Sequence, residues 1–590
     1  MRLPVLKNRN KYKRRIVAFG GLNLTQNFSE GEMRDVSGIT HEDFPTLTQP
    51  PKSEKYLDCS RPTTACFGSE ICIAAEDGFY YGSEKVGTLT PGEKMIAEIG
   101  NKIVIFPDKV YYDTVEKKFL DMEATHHVNG VKIDYEVDSM TLTESVYETE
   151  VISESSIYNP DFKLFKYKSV VVEEGKVKAT GLTVIEAKEL APEDFFCETN
   201  VEGCFRKAFS VTVTPDGKIA VAGETTRVRD ITEEVFSQFR EGDMIEITGS
   251  TLQADSIEVR ISAMIENGIR VPSGTFKEII GVDDFVIKRR IPDFSSICVY
   301  ENRLWGCVGK TIYASKLGDP LNFYIYQGIS TDSYAVESNS SGDFTAAVSY
   351  GNLCLFFKEN RCYKLYGNKP SNFSLTESFG AGILKEDARS IVNMNGQLIY
   401  KGIDGIYSFA GGLPQRISDK LGNELPQNCV AGGYEDCYYL TGEYDGQRTE
   451  YVFNTRNGLW SKSGESDVLG YTTYGGVLYR LKEHGVEKIT DSPDYEKEWY
   501  AEFCPFTEDY HKEKNYSRLH ITAKLYENSW IKAEISKDGE EWQTVSVKYG
   551  KKKEYISIPC VVKNCHELRL RLSGKGKSVI ESVVREFSVN

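Results

Sequence analysis

The chain has 590 residues, of which 40% are hydrophobic and 12% aromatic, and its formal net charge is −16. A chain of this length is expected to hold several domains, and its composition is typical of folded β-structure and excludes a disordered protein. The acidic balance argues against a protein that coats nucleic acid, because such binding requires a cationic surface that displaces counterions from phosphates.

The 14 cysteines form no CxxC pair, and several occupy apolar strand positions. We therefore expect reduced core thiols in a protein made in the cytosol. Cys560 and Cys565 are the nearest to a pair, but nothing in the pattern supports a disulfide between them. The first 15 residues include seven basic residues and are followed by no apolar run, unlike a secretory signal. No window approaches 18 apolar residues, so the sequence predicts no membrane span.

Residues 1–58 predict an extended arm. Glycine-containing turns occur at 19–21 and 28–32, and the stretch 44–51 is too rich in proline for a central strand. The basic cluster at the start of the arm is expected to pair with an acidic surface of this chain or of a neighbour rather than with DNA.

Residues 59–144 and 293–490 repeat one pattern. A short apolar segment is followed by a two-residue turn and then by an apolar strand. In the second region the turns centre on Asn302, Gly351, Asn395, Glu435 and Gly475, so they recur every 40 to 49 residues. Such periods are typical of propeller blades, because one blade cannot bury both of its faces alone. With two N-terminal units the sequence predicts a β-propeller of about seven blades; unrelated meanders in sandwiches are the alternative.

The best-marked unit is the stretch 295–340. It predicts strands over 296–301, 303–308 and 311–315, separated by turns at Glu301-Asn302 and Gly309-Lys310. The pattern is that of an antiparallel meander.

Residues 145–292 follow a different pattern. A hairpin over 209–221 and strands within 241–250, 256–261 and 268–271 predict an inserted small β-barrel, with a helix over 232–240 capped by Thr232. Residues 491–590 alternate apolar and polar positions and predict a C-terminal β-sandwich of seven to eight strands. The expected fold class is all-β throughout.

The sequence contains few of the motifs that are typical of catalysis or of metal and cofactor binding. The seven histidines form no HxH or HExxH spacing, and the adjacent His126 and His127 would point to opposite faces of a strand. Neither a phosphate-binding loop nor a GxSxG motif occurs. We therefore predict no catalytic, metal-binding or cofactor-binding residues and no enzyme activity. Paired carboxylates in a propeller funnel, as in a glycan hydrolase, are the enzymatic alternative.

One sequence motif is distinctive enough to mark a protein family. The segment 303–305 (RLW) precedes 312–323 (IYASKLGDPLNF) and 330–336 (STDSYAV). This pattern resembles tail or neck proteins from phages and prophages of Gram-positive bacteria, and is distantly similar to the tubular nozzle proteins of short-tailed phages. The resemblance covers roughly residues 15–50 and 290–590. Its marker residues are Arg303, Trp305, Ser315, Lys316, Gly318, Asp319, Pro320, Asn322 and Phe323.

From the residue types alone we expect Asp319 to cap a turn and Pro320 to fix a backbone angle, so the marker segment has a structural interpretation. The resemblance implies a virion protein of the phage tail, made in the cytoplasm of the host bacterium. It implies a homo-oligomeric ring, for which a hexamer is one candidate size, with other tail or neck proteins as further partners. Double-stranded DNA would pass through an acidic lumen without sequence-specific binding.

A receptor-binding protein at the tail tip is the second hypothesis. It would recognise a cell-surface glycan, and the aromatic pairs Tyr438-Tyr439 and Trp499-Tyr500 are candidates for stacking on sugar, although alternation along a strand places one residue of each pair in the core. A propeller glycan hydrolase is the third hypothesis.

Overall fold

The structure is a computed structural model, and it describes residues 10–136, 140–142, 164–166, 169–173, 176–180, 183–185, 209–213, 219–223, 225–229, 235–250, 256–265, 268–272, 281–378, 380–550 and 553–589. Helix within these ranges is limited to four short 3-10 segments: Val235–Gln238, Pro370–Asn372, Lys385–Ser390 and Asp419–Leu421. The expected all-β fold class is confirmed. The helix predicted over 232–240 is wrong in its described part, which is a single 3-10 turn, and its cap Thr232 lies outside the described residues.

Seven four-stranded antiparallel sheets follow each other along the chain, and we number them blade 1 to blade 7. Blade 1 contains Pro62–Phe67, Ile71–Ala75, Gly78–Tyr81 and Glu84–Gly87; blade 2 contains Met95–Ile99, Lys102–Phe106, Val110–Asp113 and Lys118–Asp121. Blade 3 contains Ser296–Tyr300, Arg303–Val308, Thr311–Ala314 and Tyr334–Glu337; blade 4 contains Ala346–Tyr350, Leu353–Lys358, Arg361–Tyr366 and Ser374–Ser378.

The remaining three blades complete the set. Blade 5 contains Val392–Met394, Gln397–Lys401, Ile406–Phe409 and Gln415–Arg416; blade 6 contains Gln427–Tyr434, Cys437–Tyr444, Gln447–Asn454 and Leu459–Glu465. Blade 7 contains Val468–Tyr474, Val477–Lys482 and Gly485–Pro493, and its outer strand is Pro51–Leu57 from the N-terminal arm. The last blade is therefore closed by a strand from the start of the chain.

Apolar clusters join each blade to the next and close the ring. Between blades 3 and 4, for example, Trp305 packs against Phe356. The first strand of blade 1 contacts the first strand of blade 7, which brings the two ends of the series together. Each blade thus buries both of its faces against neighbours, as a β-propeller requires.

The predicted two-residue turns are confirmed. Glu301 and Asn302 have φ values of 50° and 52°, and Asn395 and Gly396 have φ values of 50° and 73°. Two consecutive residues with positive φ define the turn whose twist matches that of the flanking strands, which explains the choice of Asn and Gly at these positions.

The insert between blades 2 and 3 begins earlier than the boundary drawn at 145. Its seven-stranded sheet has the order Ile257–Arg260, Met244–Thr248, Gly281–Arg289, Thr125–Glu136, Thr225–Arg229, Gly268–Pro272, Ala263–Ile265. The two end strands follow each other in the chain, so the sheet curls into a small barrel. The sheet starts at residue 125 because the long strand Thr125–Glu136 pairs with Gly281–Arg289 on one side and with Thr225–Arg229 on the other. Local sequence patterns do not indicate this pairing.

Smaller sheets complete the described part of the insert. The predicted hairpin is confirmed as Phe209–Val213 paired with Ile219–Gly223, and Met140–Leu142 extends it. Two further pairs are Leu164–Lys166 with Thr183–Ile185, and Ser169–Glu173 with Lys176–Thr180. The acidic stretch 144–150 lies outside the described residues.

The C-terminal sandwich also takes strands from the arm. One sheet contains Lys11–Ile16, Ser578–Val589, Lys514–Leu525 and Lys553–Cys565. The other contains Met33–Ser37, Glu498–Phe503, Leu568–Lys575, Trp530–Lys537 and Gln543–Tyr549. Residues 498–589 supply seven strands, as expected for the sandwich, and the arm supplies two more.

The arm connects the sandwich to blade 6. The backbone N–H of Leu22 donates to the carbonyl of Trp460 in blade 6 at 2.7 Å, and the N–H of Cys504 in the sandwich donates to the carbonyl of Glu32 at 2.9 Å. A Cβ on Gly21 would lie 2.6 Å from the carbonyl oxygen of Trp460, so this close approach of two backbones requires glycine. Residues 1–58 are extended as predicted, but their described strands belong to three sheets of the folded body.

Candidate functional site

The marker loop, residues 315–333, joins the third and fourth strands of blade 3. Arg303 lies beneath it, fully buried at the start of the second strand. Its Nη1 donates to the carbonyls of Ser315 (2.8 Å) and Asp332, and its Nη2 donates to the carbonyl of Ser330 (2.6 Å). A buried guanidinium is tolerated where such acceptors replace water. Arg303 thus ties the two ends of the loop together.

The carboxylate of Asp332 fixes the tip of the loop. It is buried, and its Oδ2 accepts hydrogen bonds from the backbone N–H groups of Gln327, Gly328 (2.6 Å) and Ile329 (3.1 Å). Three donors converging on one carboxylate oxygen hold the turn in a single conformation. The sequence pattern did not assign this role, because spacing alone does not indicate which backbone groups fold back onto an acid.

Trp305 belongs to the core between blades 3 and 4. Its ring centroid lies 5.1 Å from that of Phe373 and 6.0 Å from that of Phe356. Its Nε1 donates to the carbonyl of Tyr300 at 3.0 Å. Tilted aromatic contacts of this kind, with the polar edge satisfied, stabilise a core. Trp305 therefore anchors the blade and presents nothing to solvent.

The first half of the marker loop is built from hydrogen bonds to the backbone. Ser315 Oγ accepts from the N–H of Leu304 at 3.0 Å and donates to the carbonyl of Lys316 at 2.9 Å. Gly318 has a φ of +70° and donates its N–H to the carbonyl of Asn302 at 2.8 Å. These bonds fasten the loop to the turn that joins the first two strands of the blade.

The second half of the marker segment enters the core. Asp319 Oδ1 accepts from the N–H of Leu321 at 3.2 Å, which is the turn geometry expected from the sequence. Pro320 and Phe323 are buried, and the side-chain oxygen of Asn322 accepts the backbone N–H two residues further on. The nine marker residues thus lie together in blade 3, where the contacts described serve the loop and the core.

Beyond Phe323 the loop exposes apolar side chains. Tyr326 and Ile329 are 52% and 53% exposed, and Leu317, which precedes Phe323 in the same loop, is 39% exposed. The hydroxyl of Tyr326 donates to the carbonyl of Phe323 at 3.0 Å, so the ring is held against its own loop. The tip is therefore an apolar surface on a fixed backbone. The sequence pattern carries no signal that marks these residues.

The insert rests against the marker loop. A Cβ on Gly242, which has a φ of +89°, would lie 2.3 Å from Cδ1 of Ile325. Nearby, Asp243 forms a buried ion pair with Arg289 at 2.8 Å, and burial raises the pKa of this carboxyl. The loop therefore lies at the junction of the propeller and the insert.

A cavity of about 590 Å³ lies at the centre of the propeller, where blades 1, 6 and 7 meet the connection between blades 4 and 5. Its charged lining residues are Arg61, Lys385, Arg389, Arg448, Glu76, Glu93 and Glu386. Arg389 pairs with Glu93 at 2.9 Å, and Arg61 pairs with Glu76 at 3.4 Å. The lining has mixed charge. The acidic lumen expected from the resemblance concerns an assembled ring and stays a prediction.

The aromatic pairs considered for glycan stacking lie in the core. Tyr438 and Tyr439 are buried, because blade 6 packs against neighbours on both faces. Trp499 is buried in the sandwich, and the hydroxyl of Tyr500 donates to Asp35 at 2.8 Å. Neither Tyr438 nor Tyr439 is therefore available for stacking on sugar, and in the second pair Trp499 is the core residue that alternation predicts.

His41 is the most buried histidine that the structure describes. Its Nε2 lies 2.8 Å from the carbonyl of Gly20 and donates to it. Burial lowers the pKa of His41 to about 4. No group of three or more His, Cys, Asp and Glu side chains in the described ranges is arranged to hold a metal ion. None of the helical segments in the described part of the chain has the length and apolar character that crossing a membrane requires.

No protein-family model matches the sequence, and no curated protein matches it. Among solved structures, Sqt1 of Saccharomyces cerevisiae is 10% identical, covers 61% of this chain and 100% of its own, and has a TM-score of 0.24. An exo-β-1,3-galactanase of Phanerochaete chrysosporium is 8% identical, covers 49% and 95%, and has a TM-score of 0.18.

The extracellular domain of a putative hybrid two-component system from B. thetaiotaomicron is 8% identical, covers 88% of this chain and 99% of its own, and has a TM-score of 0.15. Superpositions with scores this low carry no argument about activity. Assignment of function therefore depends on the contacts of this chain itself.

Proposed function

We propose that the chain is a structural protein of a phage tail or neck, which assembles with copies of itself into a ring around the DNA channel. In this proposal it contributes to tail assembly and DNA passage, contacts other tail or neck proteins, and has no catalytic activity. The motif of the marker segment supports the class of protein. The observation that carries the assembly role is the apolar tip of the marker loop.

The tip has the properties of a docking surface. Tyr326 and Ile329 lie three residues apart and are each about half exposed. Completing the burial of half-exposed side chains of this size contributes about 1 kcal/mol each, roughly half of the value for full burial. Arg303 and Asp332 already hold the loop backbone in place, so little conformational entropy remains to be lost on binding. A rigid apolar tip of this kind suits a permanent contact between subunits.

The acidic balance of the whole chain supports DNA passage rather than DNA binding. The net charge is −16, and two of the three arginines that line the cavity, Arg389 and Arg61, pair with glutamates. A surface that grips DNA needs uncompensated cations that displace counterions from phosphates. A ring of acidic subunits would instead repel the phosphates and let the duplex slide. Such a ring needs a head-to-tail interface that closes by rotation.

The test is the oligomeric state of the Tyr326→Ser/Ile329→Ser double variant. We expect the unmodified protein to form a closed ring by mass photometry and electron microscopy, and the double variant to dissociate to monomers with unchanged circular dichroism. Ile403→Ser/Leu413→Ser is the matched control, because these residues are 54% and 76% exposed on blade 5 and its loop. The control variant should keep the ring.

Two outcomes would contradict the proposal. One is an unmodified chain that is monomeric both when isolated and in the virus particle. The other is a ring that survives the substitutions at the tip but is lost in the blade 5 control. Polysaccharide turnover abolished by Glu386→Gln in the central cavity would favour the hydrolase hypothesis instead.

A further inference from the structure

Two thiols from neighbouring blades lie in contact. Sγ of Cys298, in the first strand of blade 3, lies 3.3 Å from Sγ of Cys354, in the second strand of blade 4. The sulfur–sulfur bond of a disulfide is about 2.05 Å long, so the two atoms need to approach by only about 1.3 Å. Both cysteines are free thiols in the structure.

The surroundings of the two thiols differ in access. Cys354 is fully buried, in an apolar cluster with Trp305, Cys307 and Phe356, whereas Cys298 is only partly buried at the edge of this cluster. Burial raises the pKa of the Cys354 thiol. Cys298 is therefore the thiol that a reagent in solution can reach first, and Cys354, 3.3 Å away, is the thiol that can react with it next.

We propose that Cys298 and Cys354 form a disulfide between blades 3 and 4 when the folded chain meets a small-molecule disulfide such as oxidised glutathione. The Cys298 thiolate attacks one sulfur of the reagent, breaks its S–S bond and releases one glutathione thiolate. The Cys354 thiolate then attacks Sγ of Cys298 and releases the second. The two thiol protons pass to the two glutathione thiolates, so two cysteines are oxidised while one disulfide is reduced.

The two cysteines nearest in sequence are too far apart to form a disulfide. Cys560 and Cys565 lie on one strand, Lys553–Cys565, where five residues span about 16 Å. Cys66 and Cys72 lie opposite each other within the first hairpin of blade 1, so a bond there would link one blade to itself. The contact between Cys298 and Cys354 is different because it would join two blades.

A covalent link at this place would stabilise the ring of blades. The bond would close a chain segment 56 residues long, which restricts the unfolded chain and so favours the folded one. Blade 3 also carries the marker loop, so the link would fasten the loop-bearing blade to its neighbour. The inference does not rest on the proposed function, since it needs only the folded chain and an oxidant.

Peptide mapping tests the proposal directly. The full-length protein is incubated with oxidised glutathione, its remaining thiols are alkylated, and it is digested with trypsin without reductant. Cleavage after Arg and Lys places Cys298 in 291–303, Cys354 in 317–358, Cys307 in 304–310 and Cys362 in 362–364. We expect a linked species of 291–303 with 317–358 that dithiothreitol removes, together with a Tm a few degrees higher than in the reduced protein.

Variants separate this bond from general oxidation. Cys298→Ser should lose both the linked species and the rise in Tm, whereas Cys307→Ser should keep the linked species, although Cys307 lies in the same cluster. The proposal is overturned if the folded wild-type protein leaves both thiols alkylated, stops at a mixed disulfide on Cys298, or links 291–303 to 304–310. Should Cys298→Ser not fold, the wild-type map alone decides.

Discussion

Two fully buried arginines hold two regions of the molecule in different ways. Arg303 lies under the marker loop, and its described hydrogen bonds all go to backbone carbonyls. Arg585 lies in the sandwich, where Nε and Nη2 donate to the carboxylate of Glu508 at 2.7 and 3.2 Å. One guanidinium faces partial charges of a loop and the other faces a full opposite charge.

The difference indicates which part of the fold each arginine controls. Carbonyl acceptors replace the water that a guanidinium loses, and here they belong to the two ends of one loop. A buried carboxylate partner instead makes each charge depend on the other, because either one left alone is strongly destabilising. We therefore expect loss of the Arg303 contacts to loosen one loop, and loss of the Glu508 charge to destabilise the whole sandwich.

The largest effect is expected from Glu508→Gln. The substitution keeps the shape of the side chain but removes the buried partner of Arg585 and leaves only Glu30, partly exposed and 3.4 Å away, so the sandwich should lose about 3 kcal/mol or more of unfolding free energy. Urea unfolding followed by tryptophan fluorescence measures this, because Trp499 lies in the same core.

Asp509→Asn is the matched control for this prediction. Asp509 is adjacent in sequence and pairs with Arg14 at 3.5 Å, but its side chain is 81% exposed. Its loss should change the unfolding free energy by no more than about 0.5 kcal/mol. Equal effects of the two substitutions would show that burial does not distinguish the two ion pairs.

The strands of the blades could be predicted because each turn carries its own signal. Asn, Gly and Glu at these turns adopt positive φ, and the alternation beside them follows the pleat. The strand that closes blade 7 could not be predicted in this way, because Pro51–Leu57 pairs with a segment more than 400 residues away. Its leading proline fits an outer strand, where a missing N–H costs no ladder bond.

The candidate site was predictable only as a motif. The resemblance selected Arg303, but its role depends on carbonyls 27 and 29 residues further along the chain, which no local spacing reveals. Similarly, alternation predicts that one of Tyr438 and Tyr439 faces solvent. Both are buried because the blade packs on both faces, which is a property of the ring and not of the strand.

The arm that joins the propeller to the sandwich should respond to pH through His41. Its folded pKa of about 4 lies below its ordinary value of 6.5, so the unfolded chain binds the proton more readily. This contribution to stability is present above about pH 6.5 and is lost as pH falls towards 4, by about 3 kcal/mol in all. His41→Gln should flatten the profile of Tm against pH across this window, whereas His484→Gln, at an exposed position, should leave it unchanged.

The smallest expected effect, and the most local, is that of Arg303→Met. Four carbonyls lose their donor, so we expect a loss of about 2 kcal/mol and amide exchange at least ten times faster within 315–333. The short turn 455–458 at the same place in blade 6 depends on Asn454 and should exchange as before. Arg303→Lys should restore only part of the protection, because an ammonium group does not reproduce the planar donor fork of a guanidinium. Faster exchange spread evenly over all blades would contradict the assignment of Arg303 to the loop.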